Sequence, residues 1–305
     1  MSSSPPSSAT STALKSASSN IASEGGLYLF DFDGVVCDSC DECTVSALRT
    51  IRRLGALDQS MDTVPDYPPQ WLFGKMREIR PAIEVGWQIP VLLSVFLNQQ
   101  YAQEQAKKNG GDENPSMSVA DIIANYEQLV DEWLAKYNKA DRDMIDTFGD
   151  IRDDWIATDL NSWLDINTFY SGVAESMNHC KGEGVLVTTK QQRFAIALCR
   201  HAGVTEDALP DEDIYGLGMY KKKADVIVNR MESGKYDAED THFFEDRWPT
   251  LAKCLADDRL DGVKLYLCSW GYVTDAERAL AEAEPRVEVI GLEDFASIVV
   301  GKKID

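Results

Sequence analysis

Residues 27–36 read Leu-Tyr-Leu-Phe-Asp-Phe-Asp-Gly-Val-Val, and this stretch is the strongest indication of fold class in the chain. A short apolar run that ends in acidic residues is typical of a buried parallel strand with polar groups at its carboxyl end. Along an extended chain, residues two apart point to the same side, so Asp31 and Asp33 are expected to face one pocket while Phe32 packs into the core. Gly34 allows the backbone to turn without a side chain that would crowd a ligand.

The segment that follows residue 172 alternates short apolar runs with helix-like stretches. The runs are Val185-Leu186-Val187, Ile214-Tyr215, His242-Phe243-Phe244, Leu265-Tyr266-Leu267 and Val287-Glu288-Val289-Ile290. The helix-like stretches are 190–202, 221–233, 248–258 and 274–283. Such alternation predicts a parallel sheet with right-handed crossovers, and the strand near residue 30 must join this sheet because it cannot bury itself alone.

The intervening residues have a helical pattern without a convincing strand. Predicted helices cover 41–54, 71–80, 91–107, 117–138 and 141–160. The predicted fold class is therefore α/β: a Rossmann-like parallel sheet sandwiched by helices, with a large inserted all-helical cap domain. We assign 25–37 and 171–305 to the α/β core and 38–170 to the helical cap. Residues 1–24, rich in Ser and Ala, are expected to be a disordered tail, because they offer little apolar surface to bury.

The overall charge excludes one large class of partners. The chain has 30 basic and 51 acidic residues, a formal net charge of −21. A nucleic-acid-binding protein needs a positive surface to displace phosphate counterions, so we predict no nucleic-acid partner. The apolar runs are shorter than the roughly 18 residues that span a bilayer, so we also predict no membrane segment.

Cysteine and histidine usage narrows the chemistry and the compartment. Seven cysteines spread along the chain do not resemble the disulfide framework of a small secreted domain. Cys37, Cys40 and Cys43 are spaced as a metal-binding run, but on a helix this spacing places them on one face, and we favour packing over a metal cluster. Three histidines, none at ligand spacing, disfavour zinc and Ser-His-Asp hydrolases. Free thiols and no recognised secretion signal predict a cytoplasmic location, with an organelle such as the plastid as the alternative.

Chemically useful side chains follow several predicted strands. Ligands of open α/β sheets bind at the carboxyl ends of the strands. These ends carry Asp31-Phe32-Asp33-Gly34, Thr188-Thr189-Lys190 and Glu245-Asp246-Arg247, and Lys221-Lys222-Lys223 begins a nearby helix. A carboxylate such as Asp31 can attack phosphorus, and a second one such as Asp33 can transfer the proton. Mg²⁺ prefers oxygen ligands, which Asp31 and Asp246 can supply.

In this order, these motifs resemble those of the haloacid-dehalogenase-like (HAD) phosphohydrolase superfamily. The resemblance covers the core segments 27–36 and 172–305, and the helical insert resembles the cap of phosphoglycolate-phosphatase-like members. The stretch Ser269-Trp270-Gly271-Tyr272 resembles uncharacterised plant and algal members.

The resemblance implies a role for each matching residue. Asp31 would be the nucleophile and a metal ligand, and Asp33 the acid/base whose backbone carbonyl also binds Mg²⁺. Thr188 would bind the phosphoryl oxygens and Lys223 would stabilise their charge. Asp246 would hold the metal, with Glu245 beside it.

The chain also departs from the family pattern. The active-site lysine could be Lys221, Lys222 or Lys223, of which the following Ala-Asp-Val-Ile favours Lys223, or it could be Lys190. The usual second acid, four residues after Asp246, is replaced by Thr250, and Glu245 is a substitute candidate. The cap is larger than usual, so the family does not identify the substrate.

Further residues are candidates for substrate contact: Thr189, Lys190, Arg80 and Trp270. For Arg80, which lies in the cap, packing is the alternative role. The predicted function is Mg²⁺-dependent hydrolysis of a small phosphorylated metabolite through an aspartyl-phosphate intermediate. A phosphomutase of the same fold and a catalytically silent binding or regulatory protein are the alternatives. The sequence does not predict an oligomeric state.

Overall fold

The computed structural model describes residues 25–110 and 116–301. The predicted tail, residues 1–24, lies outside the described residues. The strands are β1 (Leu27–Phe30), β2 (Cys37–Asp38), β3 (Thr168–Phe169), β4 (Glu183–Val187), β5 (Ile214–Tyr215), β6 (Thr241–Glu245), β7 (Lys264–Cys268) and β8 (Val287–Ile290). The helices are α1 (Cys40–Leu54), α2 (Gln70–Ile79), α3 (Ile89–Lys108), α4 (Val119–Ala124), α5 (Tyr126–Tyr137), α6 (Asp141–Asp165), α7 (Val173–Asn178), α8 (Gln192–His201), α9 (Lys223–Gly234), α10 (Trp248–Leu255), α11 (Asp275–Glu282) and α12 (Leu292–Val300).

Six strands form one parallel sheet in the order β5-β4-β1-β6-β7-β8. β1 lies in the middle, paired with β4 on one side and with β6 on the other. The chain winds in opposite directions from β1, so the switch point of this doubly wound sheet lies beside it. The residues that follow β1 therefore enter the crevice where such sheets bind ligands.

Both faces of the sheet are covered by helices, as the apolar character of its strands requires. Tyr28 and Phe30 of β1 pack into a cluster that contains residues of α7, α8 and α12. Leu27 and Leu29 point to the other face and pack against residues of α9, α10 and α11. The predicted sheet sandwiched by helices is confirmed.

The helices α1 to α6 form the insert between β2 and β3, and they enclose an apolar cluster of their own. β2 and β3 pair antiparallel, Cys37 with Phe169 and Asp38 with Thr168, at the two points where the chain passes between core and insert. The backbone of α6 is non-helical at Asp159 (φ −156°, ψ 79°), and beyond this kink Trp163 packs into the core cluster. The helical insert also agrees with prediction. Among the described residues, no helix is both long and apolar enough to cross a membrane.

Some predicted elements differ from the structure. The predicted helix 117–138 is divided into α4 and α5 at Asn125, whose backbone leaves the helical conformation (φ −114°, ψ 19°) and whose side-chain amide, with its backbone N–H, donates to the carbonyl of Asp121. The helix predicted to end at 160 continues to Asp165, and α12 was not predicted. Cys37 lies in β2 and not on a helix with Cys40 and Cys43, although all three are buried and free.

Candidate active site

Asp31, directly after β1, is the centre of the site. Its Oδ1 lies 2.8 Å from Nζ of Lys223, the first residue of α9, and the same Nζ lies 2.8 Å from Oε2 of Glu245 at the end of β6. Lys221 and Lys222 are exposed, so the geometry selects Lys223 among the three. Glu245, the candidate substitute for the acid that Thr250 replaces, contacts this lysine.

Burial has the largest effect on the pKa values of Asp31 and Lys223, and neighbouring charges have the next largest. Burial raises the pKa of Asp31 to about 7, with Lys223 opposing this shift and Glu245 adding to it. Burial alone would lower the pKa of Lys223, but Asp31 and Glu245 raise it far above its ordinary value. Lys223 is therefore a permanent cation beside the carboxylate that would receive a phosphoryl group.

Three buried acids form a candidate cation site. Asp31, Glu245 and Asp246 each offer a carboxylate oxygen, and these three oxygens lie within 4.8 Å of one another. Among the described residues, no other group of three or more His, Cys, Asp or Glu side chains lies close enough together to bind a metal ion. Oδ1 of Asp246 is buried without a hydrogen-bond partner, whereas Oδ2 accepts the backbone N–H of Tyr272 at 2.6 Å. Burial, together with Glu245 and Asp31, raises the pKa of Asp246 well above its ordinary value. The three acids outnumber the single lysine beside them, and one oxygen of Asp246 is free to bind a ligand. Such a group of carboxylate oxygens fits a hard divalent cation such as Mg²⁺.

Gly34 makes the close packing of this group possible. Its φ is +88°, in the left-handed region, and an added Cβ would lie 1.7 Å from Oδ2 of Asp246. Glycine is thus required both for the turn after Asp33 and for the approach of Asp246.

Asp33 lines a different cavity from Asp31, although the sequence predicts one shared pocket, and the two carboxylates remain close enough for Asp33 to raise the pKa of Asp31. Oδ1 of Asp33 accepts the hydroxyl of Ser39 at 2.5 Å and lies 3.2 Å from Nζ of Lys190. The rule that residues two apart share a side fails because β1 ends at Phe30, and the backbone then turns, with the N–H groups of residues 35–37 directed at the carbonyl of Phe32. Phe32 itself is fully buried, as predicted.

Lys190 determines the charge state of Asp33. Burial would raise the pKa of the Asp33 carboxyl, but Lys190, and then Arg80 and Ser39, outweigh burial and lower it. Lys190 is 5% exposed, and Asp33 in turn raises the pKa of the lysine against the effect of burial. Each candidate acid at the end of β1 therefore has its own lysine.

The two threonines after β4 have different surroundings. Thr188 is fully buried, and its Oγ1 accepts the backbone N–H of Lys190 at 3.1 Å, which orients the loop that carries the lysine. The hydroxyl of Thr189 donates to the backbone carbonyl of Glu84 at 3.1 Å and so joins the core to the insert.

Arg80, from the insert, reaches the core side of the site. It is 7% exposed, its guanidinium lies 4.2 Å from the ring centre of Tyr272, and Nη1 donates to the carbonyl of Ile83 at 3.2 Å. Tyr272 also donates its hydroxyl to Oδ1 of Asp38 at 2.7 Å. Tyr272 thus contacts Arg80 of the cap and Asp38 in the connection between core and cap. Its backbone N–H also binds Asp246.

Trp270 has a supporting position. Its indole N–H donates to the carbonyl of Val35 at 3.1 Å, and its ring packs edge-on against Phe295. It does not line either cavity beside the candidate acids, so it braces the loop after Asp33. The sequence did not indicate a site role for Ser39, Glu84 or Gln191, because these residues approach the site from separate loops and carry no spacing signal. Tyr272 was noted only as part of the stretch Ser269-Trp270-Gly271-Tyr272.

Two cavities adjoin the acids on different sides. A cleft of about 890 Å³ is lined by Asp31, Lys223 and Glu245 and opens between α9 and α10. A cavity of about 30 Å³ lies between core and insert and is lined by Asp33, Arg80 and Lys190. Thr189 lines both cavities. The nucleophile candidate therefore faces a wide cleft, and the proton-transfer candidate faces a smaller cavity between core and insert.

The overall architecture is similar to that of solved structures described as predicted phosphatases. A protein described as a predicted phosphatase from Clostridium acetobutylicum aligns with a TM-score of 0.51 and 15% identity over 91% of this chain and 99% of its own. A protein described as a predicted phosphoglycolate phosphatase from Haemophilus somnus aligns with a TM-score of 0.51 and 14% identity over 90% and 96% of the two chains. No protein-family model and no curated protein matches the sequence. With its parallel sheet and its helical insert after the first strand, the chain has the same fold as these two structures.

Proposed function

We propose that this protein is a Mg²⁺-dependent phosphatase that hydrolyses a small phosphate monoester through an aspartyl-phosphate on Asp31. One observation carries the proposal: a buried Asp31 at the switch point has a permanent cation, Lys223, at 2.8 Å and two further acids within cation-binding reach. A carboxylate that attacks an anionic substrate requires nearby positive charge to offset the repulsion between them, whereas an aspartate with only a structural role does not.

In the first step, the carboxylate of Asp31 attacks phosphorus and the bond to the ester oxygen breaks. Asp33 gives its proton to the departing oxygen. Although Lys190 lowers the pKa of Asp33 in the free protein, a phosphate dianion nearby raises the proton affinity of this carboxyl. Lys223 stabilises the charge on the transferred phosphoryl group from its position beside Asp31.

In the second step, Asp33 takes a proton from a water molecule that attacks the phosphorus. The bond between Asp31 and phosphorus breaks, and inorganic phosphate leaves through the wide cleft. Asp31 and Asp246, with the backbone carbonyl of Asp33, would hold Mg²⁺, and Glu245 would adjoin it while engaging Lys223. When bound, the cation neutralises charge and reduces the repulsion between Asp31 and the phosphate.

Phosphate release from a panel of phosphate monoesters, with Mg²⁺ and with excess chelator, tests the proposal. We expect Mg²⁺-dependent release by the wild type, none above background by Asp31→Asn, and unchanged release by Asp62→Asn, an exposed matched control. Full activity of Asp31→Asn or full activity in chelator would refute the mechanism. Transfer of labelled phosphoryl groups between substrates without net release would identify a phosphomutase, and inactivity on the whole panel would favour a silent binding protein.

A further inference from the structure

We infer that the hydroxyl of Tyr220 donates a hydrogen bond to the phosphoryl group at Asp31. This role rests on the proposed function and adds a further residue to the same site. Tyr220 lies in the loop between β5 and α9, three residues before Lys223. The loop follows the carboxyl end of a parallel strand, which is the end of the sheet where ligands bind.

The hydroxyl of Tyr220 is buried without a partner. Among the described residues that line the wide cleft beside Asp31, three carry a hydroxyl: Thr189, Tyr220 and Thr250. The hydroxyl of Thr189 donates to a backbone carbonyl of the cap, and the oxygen of Tyr220 is the one among the three that is buried with no hydrogen-bond partner. Such a group is costly to leave unpaired, and few exist in folded proteins unless a ligand or ordered water completes them.

The surroundings of Tyr220 fix the position of this donor. Its ring packs against the apolar cluster that contains Leu29 of the central strand. Burial raises the pKa of Tyr220 above its ordinary value, with Lys223 opposing this shift and Asp31 and Glu245 adding to it. The hydroxyl therefore keeps its proton, and the charged groups that act on it are those of the candidate active site.

An arriving phosphoryl group needs more donors than Lys223 supplies. It brings several acceptor oxygens to Asp31, whereas Nζ of Lys223 is shared between Asp31 and Glu245 at 2.8 Å each. A phenol can bind one of the charged oxygens without placing another charge in a buried site. A donor that is held in place before the substrate binds also loses little freedom in the reaction.

The position of Tyr220 assigns it to the phosphoryl group and not to the leaving group. Among the described residues around the two cavities, Tyr220 lines the cleft with Asp31 and not the smaller cavity with Asp33. Every phosphate monoester presents the same phosphoryl group to Asp31. The contribution of Tyr220 should therefore be the same for all esters, whereas that of Asp33 depends on the leaving group.

Turnover of alkyl and aryl phosphates with Mg²⁺ provides the first test. We expect Tyr220→Phe to lower kcat/KM by roughly 10- to 100-fold, and by the same factor for both kinds of ester. Tyr236→Phe is the matched control, because Tyr236 lies just beyond the other end of α9 and its hydroxyl donates to Glu183 at 2.7 Å. It should keep the wild-type kcat/KM. An unchanged kcat/KM in Tyr220→Phe, or a loss confined to one kind of ester, would overturn the inference.

The stability of the same two variants without ligand should differ in the opposite direction. Tyr220→Phe removes a buried hydroxyl that has no partner, so the midpoint of thermal unfolding should stay the same or rise. Tyr236→Phe loses its bond to Glu183, so its midpoint should fall. An equal fall in both variants would show that the hydroxyl of Tyr220 has a structural partner, and it would contradict the role in phosphoryl binding.

A binding measurement separates this role from the proposed function. Inorganic phosphate is titrated calorimetrically into the wild type and both variants in the presence of Mg²⁺, and Mg²⁺ is titrated alone. We expect phosphate to bind on the order of 10-fold more weakly to Tyr220→Phe than to the other two proteins, and Mg²⁺ to bind all three equally.

That pattern would support the role of Tyr220 even if no ester is hydrolysed, an outcome that would overturn the phosphatase alone. Equal phosphate affinity of the wild type and Tyr220→Phe, with normal hydrolysis by both, would overturn the role of Tyr220 and leave the phosphatase intact. Absence of phosphate binding to the wild type would also overturn it.

Discussion

At the residue scale, Asp31 and Asp33 have different neighbours, and the proposed mechanism therefore gives them different roles. Asp31 is joined to Lys223 and to two other acids, which suits attack on phosphorus in the presence of a cation. Asp33 is joined to Ser39 and Lys190 at the mouth of the small cavity, which suits exchange of a proton with a leaving group. The turn after Phe32 creates this division, since it directs two nearby carboxylates into separate spaces.

Replacement of Asp33 by Asn should therefore affect substrates according to their leaving groups. We expect kcat for alkyl phosphates to fall by roughly 10²–10⁴-fold, because the proton donor is lost. Aryl phosphates, which leave without a proton, should be affected less. The measurement is the slope of log kcat against the pKa of the leaving alcohol. It should become steeper in Asp33→Asn, and an unchanged slope would make Asp33 a structural residue.

Gly34→Ala tests whether the close approach of Asp246 matters for the cation site. The variant forces a Cβ into Oδ2 of Asp246, so we expect Mg²⁺ affinity and activity to fall together. Gly55→Ala is the matched control, because Gly55 also has a positive φ, +61°, but nothing lies within 4 Å of the added Cβ. Both variants should lose about 1–2 kcal/mol of unfolding free energy from the left-handed backbone. Calorimetric Mg²⁺ binding that is equal in the two variants would contradict the role of Gly34.

At the scale of elements, α1 and α6 are joined by a buried ion pair. Arg152 donates two hydrogen bonds of 2.8 Å to Glu42, which also accepts the hydroxyl of Ser46 and the indole N–H of Trp163. Burial alone would raise the pKa of Glu42, but Arg152 outweighs it and lowers the pKa to about 2. The pair between Glu42 and Arg152 therefore holds α1, the first helix of the cap, against α6, the last one.

Glu42→Gln should destabilise the protein by about 3–5 kcal/mol at neutral pH, because it leaves Arg152 without its charge partner. The folded pKa lies below the ordinary value of 4.5, so the stabilisation by Glu42 is complete above pH 4.5 and is lost as the pH falls toward 2. Denaturant unfolding between pH 2 and 7 measures both effects. Asp154→Asn removes an exposed partner of Arg53 between the same two helices and should cost at most about 1 kcal/mol. Equal costs for the two variants would show that burial adds nothing here.

The elements also indicate what the sequence could and could not predict. The central strands were predicted because their apolar runs end in acids, and parallel strands bring those ends to one edge; Lys223 follows from this topology. The break at Asn125 was missed because no Gly or Pro marks it. The contact of Arg80 with Tyr272 could not be predicted, since it depends on how a loop after β7 meets a 3₁₀ turn of the cap. Likewise, the direction of the Asp33 side chain was not predicted correctly, because the position at which β1 ends depends on hydrogen bonds that no local sequence pattern encodes.

At the scale of the whole molecule, the cap is joined to the core around the site by a few polar contacts. Glu84 contributes three of them: its carboxylate lies 2.9 Å from Nζ of Lys253 and 3.9 Å from Nη1 of Arg247, and its carbonyl accepts the hydroxyl of Thr189. Arg247 donates to the carbonyl of Pro81 at 3.4 Å. The chain passes between core and cap at the paired strands β2 and β3. We expect the cap to rotate about these two connections as substrate enters.

If these contacts hold the cap closed, weakening them should affect capture of the substrate more than the chemical step. We predict that Glu84→Gln and Lys253→Met each raise KM by up to about fivefold with little change in kcat, because an exposed pair contributes at most about 1 kcal/mol. The double variant should be no worse than Glu84→Gln alone, since Glu84→Gln already removes the pair with Lys253 as well as the longer 3.9 Å pair with Arg247. Raising the salt concentration should increase KM of the wild type and leave that of the double variant less affected, because salt screens exposed pairs. Glu78→Gln, which removes an exposed partner of Lys75 within α2, is the control and should keep the wild-type KM. Additive effects of the two single variants, or equal effects of Glu78→Gln, would show that the contact between Glu84 and Lys253 does not hold the cap.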